Sequence, residues 1–116
     1  MGGMTRLLIL ASLPFLLGAM GEHRTYHPVK SADMKKTIHT HVCVTGIATL
    51  IKKEKDGDWH IRIEDGAAFI VAEEIPTLRA KGKRPKTGQK ITACGISRRD
   101  RKHSWEEVHP VEKWLK

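Results

Sequence analysis

The sequence predicts a small all-β barrel of five strands. Three observations lead there. Beyond residue 38 the chain is a succession of short segments rich in β-branched residues, some alternating apolar with polar side chains. Asp-Gly, the dipeptide that favours tight hairpins, stands at Asp56-Gly57 and again at Asp65-Gly66. Residues 77–88, the longest interval between these segments, show no sustained helical period.

The chain opens in a different grammar. Residues 1–6 (MGGMTR) are a short basic start, Leu7 to Leu17 an apolar run, and Gly18-Ala19-Met20-Gly21 a small-residue ending. That is the three-part pattern of a secretory signal peptide. Ala19 and Gly21 supply the small side chains that signal peptidase needs, so the mature chain is expected to begin near Glu22. The apolar run is shorter than the roughly 20 residues that span a bilayer as a helix. No Cys follows it to carry a lipid anchor. The expected location is periplasmic or secreted, which moves cytoplasmic roles out of first place, and no transmembrane segment is expected in the mature chain.

Removing residues 1–21 takes away one basic residue, Arg6, and no acidic one. The whole chain carries 21 Lys+Arg against 13 Asp+Glu, a formal charge of +8. What remains is one small domain with a thin core and a strong attraction for polyanions. Residues 22–37 are polar, hold Pro28, and read as an extended arm.

The strands follow. His39 to Lys52 is long, β-branched and interrupted by Gly46, which reads as a bulge that bends the strand. Residues 53–58 turn the chain. Trp59 to Glu64 alternates as a half-buried strand should, Asp65-Gly66 turns it again, and Ala67 to Ile75 is the third strand, ended by Pro76. A basic loop, TLRAKGKRPKTG, leads to the fourth strand, Gln89 to Ser97, which contains Gly95. Arg98 to His103 reads as a charged turn, and Trp105 to Trp114 as the fifth strand. A long bent strand, two hairpins, a loop and a further hairpin form the pattern of the OB-fold, a partly open five-stranded barrel. The domain is expected over residues 38–116. The connection between its third and fourth strands often holds a helix; here Gly82, Pro85 and Gly88 leave room for one turn at most.

Strands one and four pair in such a barrel, which brings Cys43 and Cys94 near one another. A one-residue shift in register would point the thiols apart, so the disulfide stays open at this level.

Four segments together carry a resemblance. They are Val44-Thr45-Gly46, Asp56-Gly57-Asp58-Trp59-His60, Val71-Ala72-Glu73-Glu74-Ile75-Pro76, and Trp105-Glu106-Glu107-Val108-His109-Pro110-Val111. Over residues 40–114 the chain resembles exported bacterial OB-fold domains of unassigned function. That group has a D-G-D-aromatic-H hairpin and a W-x-E-I-H-P-V ending, here with Val108 in place of Ile. The layout is also similar to periplasmic bacterial OB-fold stress proteins. The resemblance implies the fold and export, and says almost nothing about activity.

Two constellations are candidates for function. The first is electrostatic. Loops one-to-two and four-to-five flank the ligand face of an OB-fold. Here they carry Lys52, Lys53 and Lys55, and Arg98, Arg99, Arg101, Lys102 and His103. Nucleic-acid OB-folds add aromatic platforms. Of six Phe, Trp and Tyr residues, Trp59, Phe69, Trp105 and Trp114 are expected to supply the core, which leaves stacking poorly provided. The second is a line of His and carboxylates. Residues two apart share a strand face, so Asp58 with His60, and Glu107 with His109, flank Glu73 on the strand between. Such a line can be a structural hydrogen-bond network, a general-base pair, or a set of metal ligands. Strands two and five are expected roughly 10 Å apart, so Glu73 would have to bridge them. His39 and His41 form a weaker H-x-H pair.

No G-x-S-x-G and no C-x-x-C occurs, and the constellation of staphylococcal-nuclease-like enzymes cannot be placed on these strands. No cofactor is called for and no metal ligand is assigned. The sequence therefore predicts an exported binding domain for an anionic ligand: nucleic acid, acidic glycan or lipid headgroup. Its expected ligand residues are Lys53, Lys55, Arg98, Arg99, Arg101, Lys102, His60, Glu73, Glu107 and His109. The alternatives are a metal-binding protein or metal-dependent hydrolase built on the His/carboxylate cluster, and a structural or protein-interaction module. The oligomeric state is left open.

Overall fold

One strand serves two halves of the molecule. In the computed structural model, which describes residues 24–116, β2 (His41–Lys53) is thirteen residues long. Its first half pairs antiparallel with β5 (Lys90–Asp100), from His41↔Ile96 to Ile47↔Lys90. Its second half pairs antiparallel with β3 (Trp59–Asp65), from Ile47↔Glu64 to Lys53↔Trp59. β3 continues into β4 (Ala68–Glu74), β4 lies parallel to β6 (Trp105–Leu115), and β6 returns antiparallel to β5. The circuit β2-β3-β4-β6-β5 closes on β2, and the domain is an OB-fold barrel. The predicted signal peptide lies outside the described residues.

The change of partner requires a close approach at Gly46. A Cβ there would meet Ile63 Cγ2 at 2.8 Å and run into the Glu64 carbonyl. Gly46 is therefore demanded by packing. The expected bulge lies instead further along, at Thr49, between Ala48 and Leu50. At Gly95 glycine and bulge do coincide: register shifts flank it, and a Cβ would lie 2.8 Å from Val108 Cγ1.

The five expected strands are β2 to β6, with one consequential difference. Arg98, Arg99 and Asp100 belong to β5, and the turn is only residues 101–104. Arg98 stands opposite Glu107 and Arg99 opposite Glu106. Opposite charges across antiparallel strands stabilise the ladder, so this charged run extends the hairpin.

The arm also departs from a wholly extended reading. His27–Pro28 form a short strand, β1, parallel to β2, and the Val29 N–H donates to the Cys43 carbonyl at 3.0 Å. Ser31–Lys36 then form a 3-10 helix, η1, lying against β3 and β4, with Met34 fully buried in the core. The loop after β4 contains no helix. That loop is held instead by Lys81, whose N–H donates to the Glu112 carbonyl at 3.0 Å and whose carbonyl accepts from Trp114 N–H at 2.8 Å, and by Arg84, which donates to Glu74 Oε2 at 2.9 Å and lies over the Trp59 ring.

Inside are Val42, Val44 and Ala48 of β2, Ile61 and Ile63 of β3, Ile70 and Ala72 of β4, and Val108, Val111 and Trp114 of β6. Cys43 and Cys94 face each other across the β2–β5 seam with Cα atoms 4.1 Å apart, and they form a disulfide. Two residues along, the Thr45 and Thr92 hydroxyls hydrogen-bond at 2.6 Å.

The disulfide closes a sequence separation of 51 residues. Loop-closure entropy alone assigns it about 4 kcal/mol. Unfolded, unreduced protein should show no thiol reactive with Ellman's reagent, and Cys94→Ser should lower the unfolding free energy by up to ~4 kcal/mol in urea titrations. Two reactive thiols in the unreduced protein would refute the bond.

Candidate functional site

Strand parity decides which side chains leave the core. On β3, Ile61 and Ile63 point inward, so His60 and Arg62 point outward. On β4, Ile70 and Ala72 are inside, and Phe69, Val71 and Glu73 are outside. On β6, Val108 is inside, and Glu107 and His109 are outside. These strands are neighbours in the order β3-β4-β6, so the outward residues share one face. The β2–β3 loop and the β5–β6 turn rim it.

The face has an aromatic part and a polar part. The aromatic part is a groove of about 260 Å³ lined by Leu50, Arg62, Phe69, Val71, His103 and Trp105, with Lys52, Glu54 and His60 at its border. The Arg62 guanidinium lies 3.8 Å from the centre of the Phe69 ring. Phe69 meets Trp105 edge-on at 6.4 Å, and His103 stacks on Trp105 at 4.5 Å with 10° between planes. Leu50 stands 57% exposed beside them. This corrects the expectation that Phe69 and Trp105 are consumed by the core. Short β-branched side chains, Met34 and Trp114 fill the barrel, so the other two rings stay outside. The signal was present: Phe69 is out of phase with Ile70 and Ala72.

The polar part lies under the β2–β3 loop, in a cavity of about 610 Å³ bordered by Lys53, Lys55, Asp58, His60, Glu73, Arg98, Asp100 and His109. Glu73 is the bridge that the strand spacing requires. Its Oε1 lies 3.2 Å from His60 Nε2 and 3.8 Å from His109 Nε2. Glu107 is fully buried. Its Oε2 accepts the Trp105 indole N–H at 2.8 Å. Its Oε1 lies 3.7 Å from Arg98 Nε and 3.8 Å from His109 Nδ1, and makes no hydrogen bond among the described residues.

Arg98 sets the state of His109. Its Nη1 donates to His109 Nδ1 at 2.6 Å. Arginine has donors only, so Nδ1 accepts, and in the neutral ring the proton sits on Nε2, towards Glu73. Burial, then the charge of Arg98, holds the His109 pKa below its ordinary value. Burial, then the neighbouring Glu73 carboxyl, pushes the Glu107 carboxyl up to about 8. Asp100 is held well below the usual carboxylate range by its hydrogen bond with His103, at 2.8 Å.

The cationic residues divide. Arg98 faces the cluster. Arg99 pairs with Glu106 on the opposite side of the hairpin, away from the groove. Arg101 and Lys102 are exposed in the β5–β6 turn, Lys55 in the β2–β3 loop, and Lys53 Nζ lies 5.9 Å from the Trp59 ring. The H-x-H pair does not form on one strand face. His39 is in a turn at φ 64, and His41 Nε2 accepts from Arg24 at 3.0 Å.

No protein-family model matches the chain, and no curated protein sequence matches it. Solved structures do. Asparaginyl-tRNA synthetase from Pyrococcus horikoshii aligns over 78% of this chain and 23% of its own, at 15% identity and a TM-score of 0.63. A putative aspartyl-tRNA synthetase from Leishmania major aligns over 78% and 20%, at 11% identity and 0.59. The telomere capping protein Ten1 from Saccharomyces pombe aligns over 72% and 76%, at 13% identity and 0.51. The chain thus spans less than a quarter of the synthetases and about three quarters of Ten1. At these identities the likeness concerns the fold.

The cluster carries a pH dependence. The folded protein holds the Glu107 proton more tightly than the unfolded chain does. The resulting stability is full below about 4.5 and is lost as the pH rises through about 8. His109 acts oppositely: its contribution is present above 6.5 and lost as the pH falls. Urea midpoints in EDTA-containing buffer should therefore fall between pH 6.5 and 8, where the Glu107 contribution is being lost and that of His109 is already full. Glu107→Gln should remove that slope. A parent midpoint that is flat or rising in this window contradicts the assignment.

Proposed function

We propose that the chain is an exported OB-fold binding domain whose anionic ligand is a single-stranded nucleic acid, laid across the outer face of β3 and β4. One observation carries this reading: the ladder Arg62–Phe69–Trp105–His103 stands on the face that OB-folds use for ligands. Rings of this kind stack on bases, and a stacked guanidinium adds cation–π attraction. Lys52, Lys55, Arg101 and Lys102 rim the face, where phosphates would run. The formal charge of +8 adds long-range attraction for a polyanion. An aromatic groove without this cationic rim would suit a neutral sugar equally well; the rim favours a phosphate backbone over a glycan. The names of the similar structures, two tRNA synthetases and a telomere capping protein, accord with it.

In this reading the ligand passes over the aromatic groove and the carboxylate cluster lies to one side. Fluorescence anisotropy with labelled single-stranded oligonucleotides measures it. Phe69→Ala should weaken binding by about 1–3 kcal/mol. Replacing Arg101 and Lys102 with Ala should lower the slope of log K against log salt by about 0.7 per lost phosphate contact. Arg99→Ala, which faces away, should change neither. Binding to heparin with no binding to any oligonucleotide at low salt would overturn the choice of ligand.

Export is supported by the signal-peptide grammar of residues 1–21 and by a disulfide at the barrel seam, which an oxidising compartment maintains. Protein recovered from a bacterial envelope fraction should have an intact mass that begins near Glu22. A cytosolic protein retaining residues 1–21 would remove this part of the reading.

A further inference from the structure

Three acidic side chains crowd together in the polar cluster. Glu73, Asp100 and Glu107 each present a carboxylate oxygen, and these oxygens lie within 4.8 Å of one another. Glu73 and Glu107 are buried, so water does little to screen them. Arg98 is the cation nearest Glu107, at 3.7 Å, and its Nη1 is engaged with His109. A second observation is independent of this proximity. Glu107 is fully buried, and its Oε1 has no hydrogen-bond partner among the described residues. Buried acceptors are rarely left unmade, so an orphan here points to a missing partner.

We propose that Glu73, Asp100 and Glu107 bind a divalent cation of the hard, oxygen-preferring class, Mn2+ or Mg2+, at the end of the face beside the aromatic groove. The donors decide the class. Three carboxylates suit these ions, which complete their shell with water. The imidazoles do not join. Arg98 occupies the His109 Nδ1 lone pair, and His60 Nε2 is turned to Glu73 Oε1. His60 Nε2, 3.2 Å from Glu73 Oε1, is the ring placed to orient that carboxylate, as histidines and carboxylates around metal centres orient one another. His103 does the same for Asp100, to which its backbone N–H also donates at 3.1 Å.

The inference does not depend on what lies in the aromatic groove, and its test uses no oligonucleotide. Chelator-treated mature protein is titrated with Mn2+. Bound metal is read by electron paramagnetic resonance and stability by thermal melting. Mn2+ should bind at one site per chain and raise Tm, because a ligand of the native state stabilises it by mass action. Glu107→Gln and Asp100→Asn should each weaken Mn2+ binding at least ~10-fold. Glu106→Gln, on the opposite side of the hairpin, should leave it unchanged. Melts without metal establish that each variant is folded. Absence of bound Mn2+ at millimolar concentration would overturn the proposal and leave a shared proton as the partner of Glu107. Zn2+ binding that His109→Ala abolishes and Glu107→Gln spares would also overturn it, and would assign the site to Asp58, Glu73 and His109.

Discussion

The structure depends on the passage of β2 from one partner to another at Gly46. Within one closed sheet, β2 pairs with β5 along its first half and with β3 along its second, and the two pairings meet at Gly46 and Ile47. At that change of partner the β2 backbone lies against Ile63 and Glu64, where no side chain fits. Because β2 changes partner there, β5 and β3 can both be edged by β2 and the barrel closes. Closure then makes strand parity absolute: one set of side chains is sealed inside, and the other must find work outside. The disulfide reinforces the same seam on the β5 side, and η1 adds Met34 to the core.

The outer face is electrically divided. Its rim is basic, and its polar floor is a knot of carboxylates in which Arg98 faces Glu73, Asp100 and Glu107. A polyanion is attracted by the rim and repelled by the knot, so the aromatic groove is the path of least electrostatic resistance across the face. Arg98 belongs to the knot because the β5–β6 hairpin continues past the barrel. A turn beginning at Arg98 would have released it to solvent.

Much of this was legible in the sequence, and the reasons for the exceptions are specific. Period-two alternation and Asp-Gly turns located five strands, and the same alternation placed His60, Glu73, Glu107 and His109 on a common face with Glu73 as the bridge. The bulge at Gly46 was misplaced because a glycine in a strand can answer either to an extra residue or to a close neighbour, and only the fold tells which. Met34 was missed because a single apolar residue in a 3-10 turn makes no periodic pattern. The extent of β5 was missed because Arg98 and Arg99 look like a solvated turn until Glu107 and Glu106 are seen opposite. Phe69 and Trp105 lie outside the core because a barrel this small is filled by β-branched side chains, and a count of aromatic residues carries no information on which face each one takes. The signal-peptide reading concerns residues outside those described.

Parity has one more implication. On β3 and β4 the residues that hold the barrel together and the residues that would meet a ligand alternate, and none serves both ends. Ile61, Ile63, Ile70 and Ala72 could stay unchanged while His60, Arg62 and Phe69 were replaced. Recognition can therefore drift, or be redesigned, at little cost to foldability, since the two properties are inherited on separate letters of the same words. The exceptions are Val71, Glu73 and, on β6, Glu107, which are outward yet buried. They are the positions where a change of specificity would be felt as a change of stability, and a library built on this scaffold should leave them fixed.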